Sequence, residues 1–359
     1  MFRVQPLASE EAERVAAASR VAFTFLVRDG ERYLSRNLKA LFELGRTFRE
    51  FRIFYVENDS KDSTRSVLRA FSERDHGVMT GKLLNNLSAH SYSLCPREEL
   101  GQINCRNRTS LLANLRQRVL SMALQWPAWD AVTMIDIDFA CFSASEYMRT
   151  FALGLHLNAS AVFSNSMYPN KQGHLMPYDR SSIYPSFLRL HLPSKRVFGP
   201  SALPRPHAQQ CLVRVTSAFG GFGTYFAKPL RAALAGSGRR CGLRPPTYKG
   251  EEQVPEHVTF NRRLAHVSGN PMFIDPTFEP IYNYAEGIGK LFRLVDPRKA
   301  KICSIAGKSN RHSAAYIAER AAVKQARAAR RQRARSKSRY NGTRPMNKSS
   351  LANNVGAPR

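Results

Sequence analysis

Two repeats of an apolar run followed by an amphipathic run constrain the fold more than any other feature of the sequence. The segments "RVAFTFLVRDG" (20–30) and "FRIFYVEND" (51–59) have the aromatic and β-branched character of strands. Residues 33–48 and 63–74, which follow them, have apolar side chains at helical spacing. A β-α-β-α order predicts neighbouring parallel strands joined by right-handed crossovers. We therefore predict an α/β fold with a Rossmann-type, mostly parallel sheet flanked by helices.

The rest of the chain continues this pattern and divides into segments. The pattern predicts a long amphipathic helix at 109–125. It predicts further strands within 130–138, 159–165, 211–227 and 271–284. The predicted organisation is an N-terminal polar helix (1–19), one large domain (20–300) with an irregular insertion (166–210), and a C-terminal tail (301–359).

The C-terminal tail carries half of the excess positive charge. The chain has 55 Lys and Arg against 27 Asp and Glu, a net charge of +28. Residues 301–359 hold 15 of the basic residues and a single acid, Glu319. This segment has no wide apolar face, so we predict that it is disordered or partly helical. Its expected partner is an anionic membrane, a nucleic acid or an acidic glycan.

Cysteine usage and hydropathy bear on location. The six cysteines are scattered without a C-x-x-C pair, which disfavours a zinc site and leaves free thiols and disulfides both open. No run approaches the ~18 apolar residues of a membrane span, and the N-terminus lacks the apolar core of a secretory signal. We expect a cytoplasmic or peripheral membrane protein; a Golgi location would require an incomplete N-terminus.

The second predicted strand ends in a cluster of polar residues. Glu57, Asn58, Asp59 and Asp62 lie at or just beyond its end, and a helix follows. Ligands of parallel sheets bind beyond the carboxyl ends of the strands. These side chains are therefore candidates to accept hydrogen bonds from a ribose or a base. The alternative is an Asp/Ser turn that caps the following helix.

A second acidic strand end occurs in "AVTMIDIDFACFS" (131–143). Asp136 and Asp138 are two residues apart, so in a strand both would point to one face and repel each other. Mn²⁺ or Mg²⁺, bridging the carboxylates and a substrate diphosphate, would relieve that repulsion. The alternative is a solvated surface pair, because a lone D-x-D is a weak motif.

Glycines follow a later strand in "SAFGGFGTY" (217–225). Gly220 and Gly221 allow positive φ and close approach of the backbone to a ligand. The spacing is not G-x-G-x-x-G, which disfavours a nicotinamide cofactor. An ordinary bulge or turn is the alternative.

Four further side chains are candidates by residue type. Glu256 is a candidate general base, and His257 a candidate metal or phosphate ligand. Arg108 and Arg116 precede the D-x-D strand and suit bidentate phosphate contact. The alternatives are a hydrogen-bonded structural histidine and solvated arginines.

In order, these motifs resemble a group of glycosyltransferases. The segments are "FLVRDGERYL", E-N-D-S-x-D-x-T, the D-x-D strand, "SAFGGFGTY" and "EHVTFN", spanning roughly 20–285. The set resembles GT-A fold enzymes, and among them the fungal capsule-associated and Anp-type mannosyltransferases and related viral or microbial proteins. The resemblance implies a nucleoside diphosphate sugar donor, a GDP- or UDP-sugar such as GDP-mannose, and a glycan or glycoconjugate acceptor.

The resemblance also implies a role for each motif. The nucleoside is expected beside Glu57, Asn58, Asp59 and Asp62, and Mn²⁺ or Mg²⁺ on Asp136 and Asp138. Phe219, Gly220 and Gly221 are expected near the sugar, and Glu256 and His257 are expected to close the site.

The resulting prediction is a metal-dependent glycosyltransferase, with Glu256 and Asp138 as catalytic candidates and Asp136, Asp138 and His257 as metal ligands. The alternative is a protein that binds nucleic acid or an anionic surface through its basic tail.

Overall fold

A computed structural model describes most of the predicted domain. The described residues are 2–3, 7–74, 77–84, 106–126, 128–169, 175–178, 183–185, 211–236 and 255–282. The chain divides into two compact units, Met1–Cys303 and Ser304–Arg359, and every described residue belongs to the first. The predicted tail (301–359) and most of the predicted insertion (166–210) lie outside the described residues.

The described part of the chain contains seven helices and fourteen strands. The helices are α1 (Ser9–Ala18), α2 (Leu34–Gly45), α3 (Thr64–Arg74), α4 (Arg106–Leu124), α5 (Ala144–His156), α6 (Ala227–Gly236) and α7 (Glu256–Ser268). The strands are β1 (Phe2–Arg3), β2 (Arg20–Val27), β3 (Glu50–Asn58), β4 (Met79–Leu84), β5 (Ala131–Asp136), β6 (Phe139–Cys141), β7 (Ala161–Ser164), β8 (Met167–Pro169), β9 (Leu175–Pro177), β10 (Tyr184–Pro185), β11 (Cys211–Ser217), β12 (Phe222–Phe226), β13 (Met272–Asp275) and β14 (Ile281–Tyr282).

The large sheet has the strand order β1-β11-β13-β7-β12-β5-β2-β3-β4, with β10 paired to β11. Strands β5, β2, β3 and β4 are mutually parallel, and β13 is parallel to β7. Strand β12 runs antiparallel between β5 and β7. The predicted α/β fold is confirmed, including the parallel β2-α2-β3-α3 unit with which the domain begins; β4, which the sequence did not predict, adds a further parallel strand.

Helices cover both faces of the sheet because its strands are apolar on both sides. Phe23 and Phe25 of β2 belong to one core cluster, together with residues of α1, α2, α3 and α5. Ala22 of β2 and Met134 of β5 belong to a second cluster, together with residues of α4, α6 and α7. The result is a three-layer arrangement in which the carboxyl ends of the parallel strands β5, β2, β3 and β4 lie at the same edge of the sheet.

A small second sheet has the order β6-β14-β8-β9. It draws β8 and β9 from the segment that the sequence predicts to be irregular, and β10 from the same segment joins the large sheet. These strands have two or three residues each, which is too short for a periodic pattern to reveal them. The described part of the insertion is therefore more ordered than expected, and its strand β8 pairs directly with β14.

Two further findings concern the membrane and cysteine expectations. None of the helices in the described ranges is long and apolar enough to cross a membrane. Cys141, in β6, is disulfide-bonded, so of the two states left open by the sequence this cysteine adopts the oxidised one.

Candidate functional site

The two acidic strand ends meet at the carboxyl edge of the parallel strands. In the β2–β5 ladder Leu26 pairs with Asp136, and in the β2–β3 ladder Val27 pairs with Glu57. Strand β5 ends at Asp136, and a turn at 137–138 leads into β6. Asp138 therefore projects from a turn at the edge where α/β sheets place their ligands.

The first aspartate of the D-x-D is held by hydrogen bonds on all sides. Arg116 Nη2 donates to Asp136 Oδ1 at 2.9 Å, and the Tyr178 hydroxyl donates to Oδ2 at 2.8 Å. The Asp136 N–H donates to the Gly221 carbonyl at 2.8 Å. The Tyr282 hydroxyl lies 3.1 Å from the Asp136 carbonyl oxygen and 3.0 Å from that of Gly221. Asp136 is thus an anchored residue whose two carboxylate oxygens already have donors.

Arg116 connects the D-x-D to the predicted Glu-His pair. Its Nε donates to Glu256 Oε1 at 2.8 Å, and its guanidinium lies 4.8 Å from the centre of the Phe219 ring. The His257 ring stacks on Phe219, with 3.6 Å between centroids and 14° between planes. Burial, and then the Arg116 charge, lower the pKa of His257 well below its usual value. The histidine is therefore neutral at physiological pH, and Glu256 faces the arginine.

The glycines beside this cluster are required by the backbone. Gly220 and Gly221 have φ values of +60° and +81°, in the left-handed region. A Cβ on Gly220 would lie 2.2 Å from the Ser164 carbonyl oxygen, and one on Gly221 would lie 2.2 Å from the Tyr282 hydroxyl. Both residues are buried, so they bring the start of β12 against the end of β5.

The first acidic strand end is largely structural. Glu57 is fully buried; it accepts hydrogen bonds from Arg65 Nε at 2.6 Å and from the Ser60 N–H at 2.7 Å. Asn58 is also buried and pairs with Leu84 in the β3–β4 ladder. These contacts build the loop that follows β3, and neither carboxylate oxygen of Glu57 lacks a donor within it.

Asp62 and Asp59 shape the same loop. Asp62 accepts from the N–H groups of Glu31 and Thr64, each at 2.9 Å, which caps the N-terminus of α3 and ties it to the chain after β2. Burial would raise the pKa of Asp62, but the hydrogen bonds from Thr64 and Glu31 outweigh it and lower that pKa. Asp59 has φ +53°, and its N–H donates to the Leu84 carbonyl. For Asp62 the capping interpretation of the sequence agrees with these contacts.

Tyr33 marks a concentration of negative charge that the sequence analysis missed. This residue directly precedes α2, and its pKa is raised by burial and then by the charges of four carboxylates: Asp138, Asp62, Asp136 and Asp29. The phenol therefore lies where both acidic segments converge. The sequence offers no periodic signal for it, because Tyr33 stands at a loop–helix junction.

The predicted metal ligands fit a divalent ion only in part. The described ranges contain no group of three His, Cys, Asp or Glu residues that could hold a metal. Both oxygens of Asp136 accept hydrogen bonds, and His257 is stacked on Phe219. Mg²⁺, however, is usually bound by one or two carboxylates together with substrate phosphates and water. Asp138, in its acidic surroundings, fits a metal ion that arrives with a diphosphate.

One predicted phosphate contact lies partly outside the described residues. The backbone of Arg108 belongs to α4, and its side chain is not among the described ones. Two residues that no motif indicated also hold Asp136: Tyr178 from the predicted insertion and Tyr282 from β14, whose rings stack on each other at 4.0 Å.

Comparisons with known proteins give distant structural similarities. No family model and no curated protein sequence matches the chain, so its resemblance to the fungal mannosyltransferases gains no support. Among solved structures, S. aureus TarS 1–349 in complex with UDP-GlcNAc is similar at 12% identity and a TM-score of 0.44, covering 77% of this chain and 65% of that one. The chain thus spans less than two thirds of that TarS fragment.

Two other structures are similar at the same level. They are mannosyltransferase PcManGT from Pyrobaculum calidifontis in complex with GDP-Man and Mn²⁺ (11% identity, TM-score 0.41, 86% and 80% coverage) and GalNAc-T7 with UDP, GalNAc and Mn²⁺ (12%, 0.43, 75% and 45%). Similarities of this size assign neither an activity nor a substrate to this chain.

Proposed function

We propose that the chain is a glycosyltransferase that moves a sugar from a nucleoside diphosphate sugar to a glycan or glycoconjugate. The observation that carries the proposal is the meeting of Asp136 and Asp138 with the Gly220–Gly221 turn at the carboxyl edge of parallel strands. Such an edge is the usual ligand site of an α/β sheet, and buried glycines beside it let a ligand approach the backbone.

In this proposal the two aspartates have different tasks. Asp136, held by Arg116 and Tyr178, fixes the end of β5 and the turn that follows. Asp138 is the protein ligand of Mn²⁺ or Mg²⁺. A divalent ion held by Asp138 together with the donor would supply charge neutralisation for the departing diphosphate. The acidic surroundings that raise the pKa of Tyr33 favour a cation at this position.

Glu256 has a positioning task in this proposal. A general base must reach the proton of the reacting hydroxyl, whereas the Glu256 carboxylate is buried and bonded to Arg116. We propose that it orients Arg116, and through it Asp136, while neutral His257 and Phe219 form the apolar wall behind them.

The test is the release of nucleoside diphosphate from a panel that includes GDP-mannose and UDP-sugars. Release by the wild-type protein is measured with Mn²⁺, without Mn²⁺ and with EDTA. The Asp138→Asn variant is measured under the same conditions. Glu50→Gln serves as the control. Glu50 is distant from Asp138 in the sequence, and its side chain is exposed at the start of β3. Metal-dependent release from one donor, lost in Asp138→Asn and retained in Glu50→Gln, is expected. Absence of release from every donor would contradict the proposal.

The basic tail supports a second candidate, binding to an anionic surface. Its 15 basic residues against one acid predict affinity that falls steeply with salt. Deleting 305–359 separates the candidates. A transferase keeps its release activity after the deletion, whereas a protein that acts through its tail loses binding to polyanions and has no release activity to keep.

A further inference from the structure

A fully buried asparagine lies on the apolar face of α2, directly below the D-x-D turn. Asn37 has no exposed surface and shares that face with Leu34, Leu38 and Leu41, which are buried as well. A side-chain amide in such a place costs free energy unless its hydrogen bonds are satisfied. The partners of Asn37 therefore explain why a polar residue is tolerated here.

Both donors of the Asn37 amide go to the backbone that flanks Asp138. Its Nδ2 donates to the Ile137 carbonyl at 2.6 Å and to the Phe139 carbonyl at 2.7 Å. Arg36 completes the arrangement: its Nη2 donates to the same Phe139 carbonyl at 2.8 Å, and its Nε donates to Asn37 Oδ1 at 2.8 Å. The 137–138 peptide, which directly precedes Asp138, and the 139–140 peptide, one residue beyond it, are thus fixed from below.

Fixing those carbonyls sets the direction of the Asp138 side chain. The turn between β5 and β6 consists of two residues, 137 and 138, and has no ladder partner of its own. Rotation of the 137–138 peptide, or a shift of the backbone at Phe139, would redirect the carboxylate. Tyr33, four residues before Asn37, directly precedes α2, and after burial the charge of Asp138 contributes most to the raised pKa of its phenol.

We propose that Asn37 is a positioning residue, which sets the affinity of Asp138 for a divalent metal bound with a nucleoside diphosphate. This inference rests on the proposed function and adds a residue that no motif of the sequence indicated. Groups that orient a metal ligand typically contribute about 10- to 100-fold to metal affinity.

The experiment measures Mn²⁺ binding by electron paramagnetic resonance, in the presence of GDP or UDP. The variants are Asn37→Leu, which keeps the size and removes both donors, and Arg36→Gln, which removes one of the three bonds to the turn. Thr133→Val is the matched control: Thr133 is equally buried, lies in β5 and bonds Tyr147 and Thr224 at 2.6 and 3.1 Å. Calorimetry with nucleotide alone, without metal, accompanies each titration.

We expect Asn37→Leu to weaken Mn²⁺ binding by about 10- to 100-fold and Arg36→Gln to weaken it less. Nucleotide affinity without metal should be unchanged, and Thr133→Val should lose stability but keep its Mn²⁺ affinity. Should Asn37→Leu fail to fold, Arg36→Gln carries the test.

Three results would overturn the inference. They are unchanged Mn²⁺ affinity in folded Asn37→Leu and Arg36→Gln, an equal loss in Thr133→Val, and an equal loss of metal-free nucleotide affinity. If the wild-type protein itself binds no Mn²⁺ with either nucleotide, the proposed function fails, and the role given to Asn37 fails with it. Wild-type binding that the variants retain removes only the role of Asn37.

Discussion

Replacing Arg116 with methionine tests the buried ionic bridge at the centre of the site. Arg116 joins Asp136 and Glu256 through bonds of 2.9 and 2.8 Å, and its side chain is 6% exposed. Methionine retains much of the packing volume but leaves two carboxylates without their cation. Removing one partner of a buried ion pair costs about 3–5 kcal/mol.

The exposure of the partners refines that magnitude. Glu256 is 8% exposed and remains a buried charge, whereas Asp136 is 22% exposed and keeps its bond from Tyr178. We therefore expect a loss near the lower end of the range, about 3 kcal/mol. A second change, Glu256→Met in the Arg116→Met background, should recover part of it, because interacting neighbours couple by about 0.5–3 kcal/mol.

The assay is urea denaturation of the single variants, the double variant and a surface control. Glu50→Gln provides the control: Glu50 also bridges two arginines, Arg20 at 3.5 Å and Arg52 at 3.9 Å, but it is 43% exposed. Exposed pairs contribute about 0–1 kcal/mol, so this change should be nearly neutral. A loss in Arg116→Met no larger than in Glu50→Gln, at an unchanged slope of the denaturation curve, would refute the buried bridge.

Three further changes probe the surroundings of Asp136. Gly221→Ala places a methyl group at φ +81° and 2.2 Å from the Tyr282 hydroxyl. The free energy of unfolding, measured in urea, should therefore fall by about 2–4 kcal/mol. An unchanged free energy of unfolding would show that the turn relaxes freely. Tyr178→Phe removes the donor to Asp136 Oδ2 and should cost about 1.5–3 kcal/mol; an unchanged midpoint in the same assay would show that this bond is absent in solution. The pKa of His257 is lowered in the folded protein, so below the ordinary value of 6.5 the unfolded chain takes up a proton that the folded chain does not. The free energy of unfolding should therefore fall between about pH 7 and pH 5, and it should fall less steeply in His257→Phe. Identical slopes in the two proteins would contradict a neutral buried histidine.

The parallel part of the fold followed from local patterns. Strands β2 and β3 are long apolar runs, and α2 has a continuous apolar face, so periodicity predicted both the elements and their parallel pairing. The short strands β8, β9 and β10 gave no such signal, because two or three residues cannot show a period and their pairing depends on distant segments.

The candidate site was predictable only where residue type and strand position coincide. Asp136 at the end of β5 and the glycines before β12 follow directly from sequence. The predicted strand position of Asp138 is wrong, because β5 ends at Asp136 and Asp138 lies in the turn at 137–138. The ion-pair partner of each charged residue could not be predicted from the sequence. Arg116 stands 20 residues from Asp136 and 140 from Glu256, and only the fold brings the three together. Glu57 shows the same limit, since the sequence indicates a carboxylate at a strand end but gives no sign of its bonds to Arg65 and to the Ser60 N–H within the loop.

The measurement that tests the central claim most directly is the anomalous scattering of Mn²⁺ in crystals soaked with Mn²⁺ and the nucleoside diphosphate of the active donor. We expect a manganese peak bonded to the Asp138 carboxylate and to the diphosphate, at the carboxyl edge of β5 and β2, with Arg116 still between Asp136 and Glu256. Manganese and nucleotide bound elsewhere on the protein, with Asp138 in contact with neither, would contradict it.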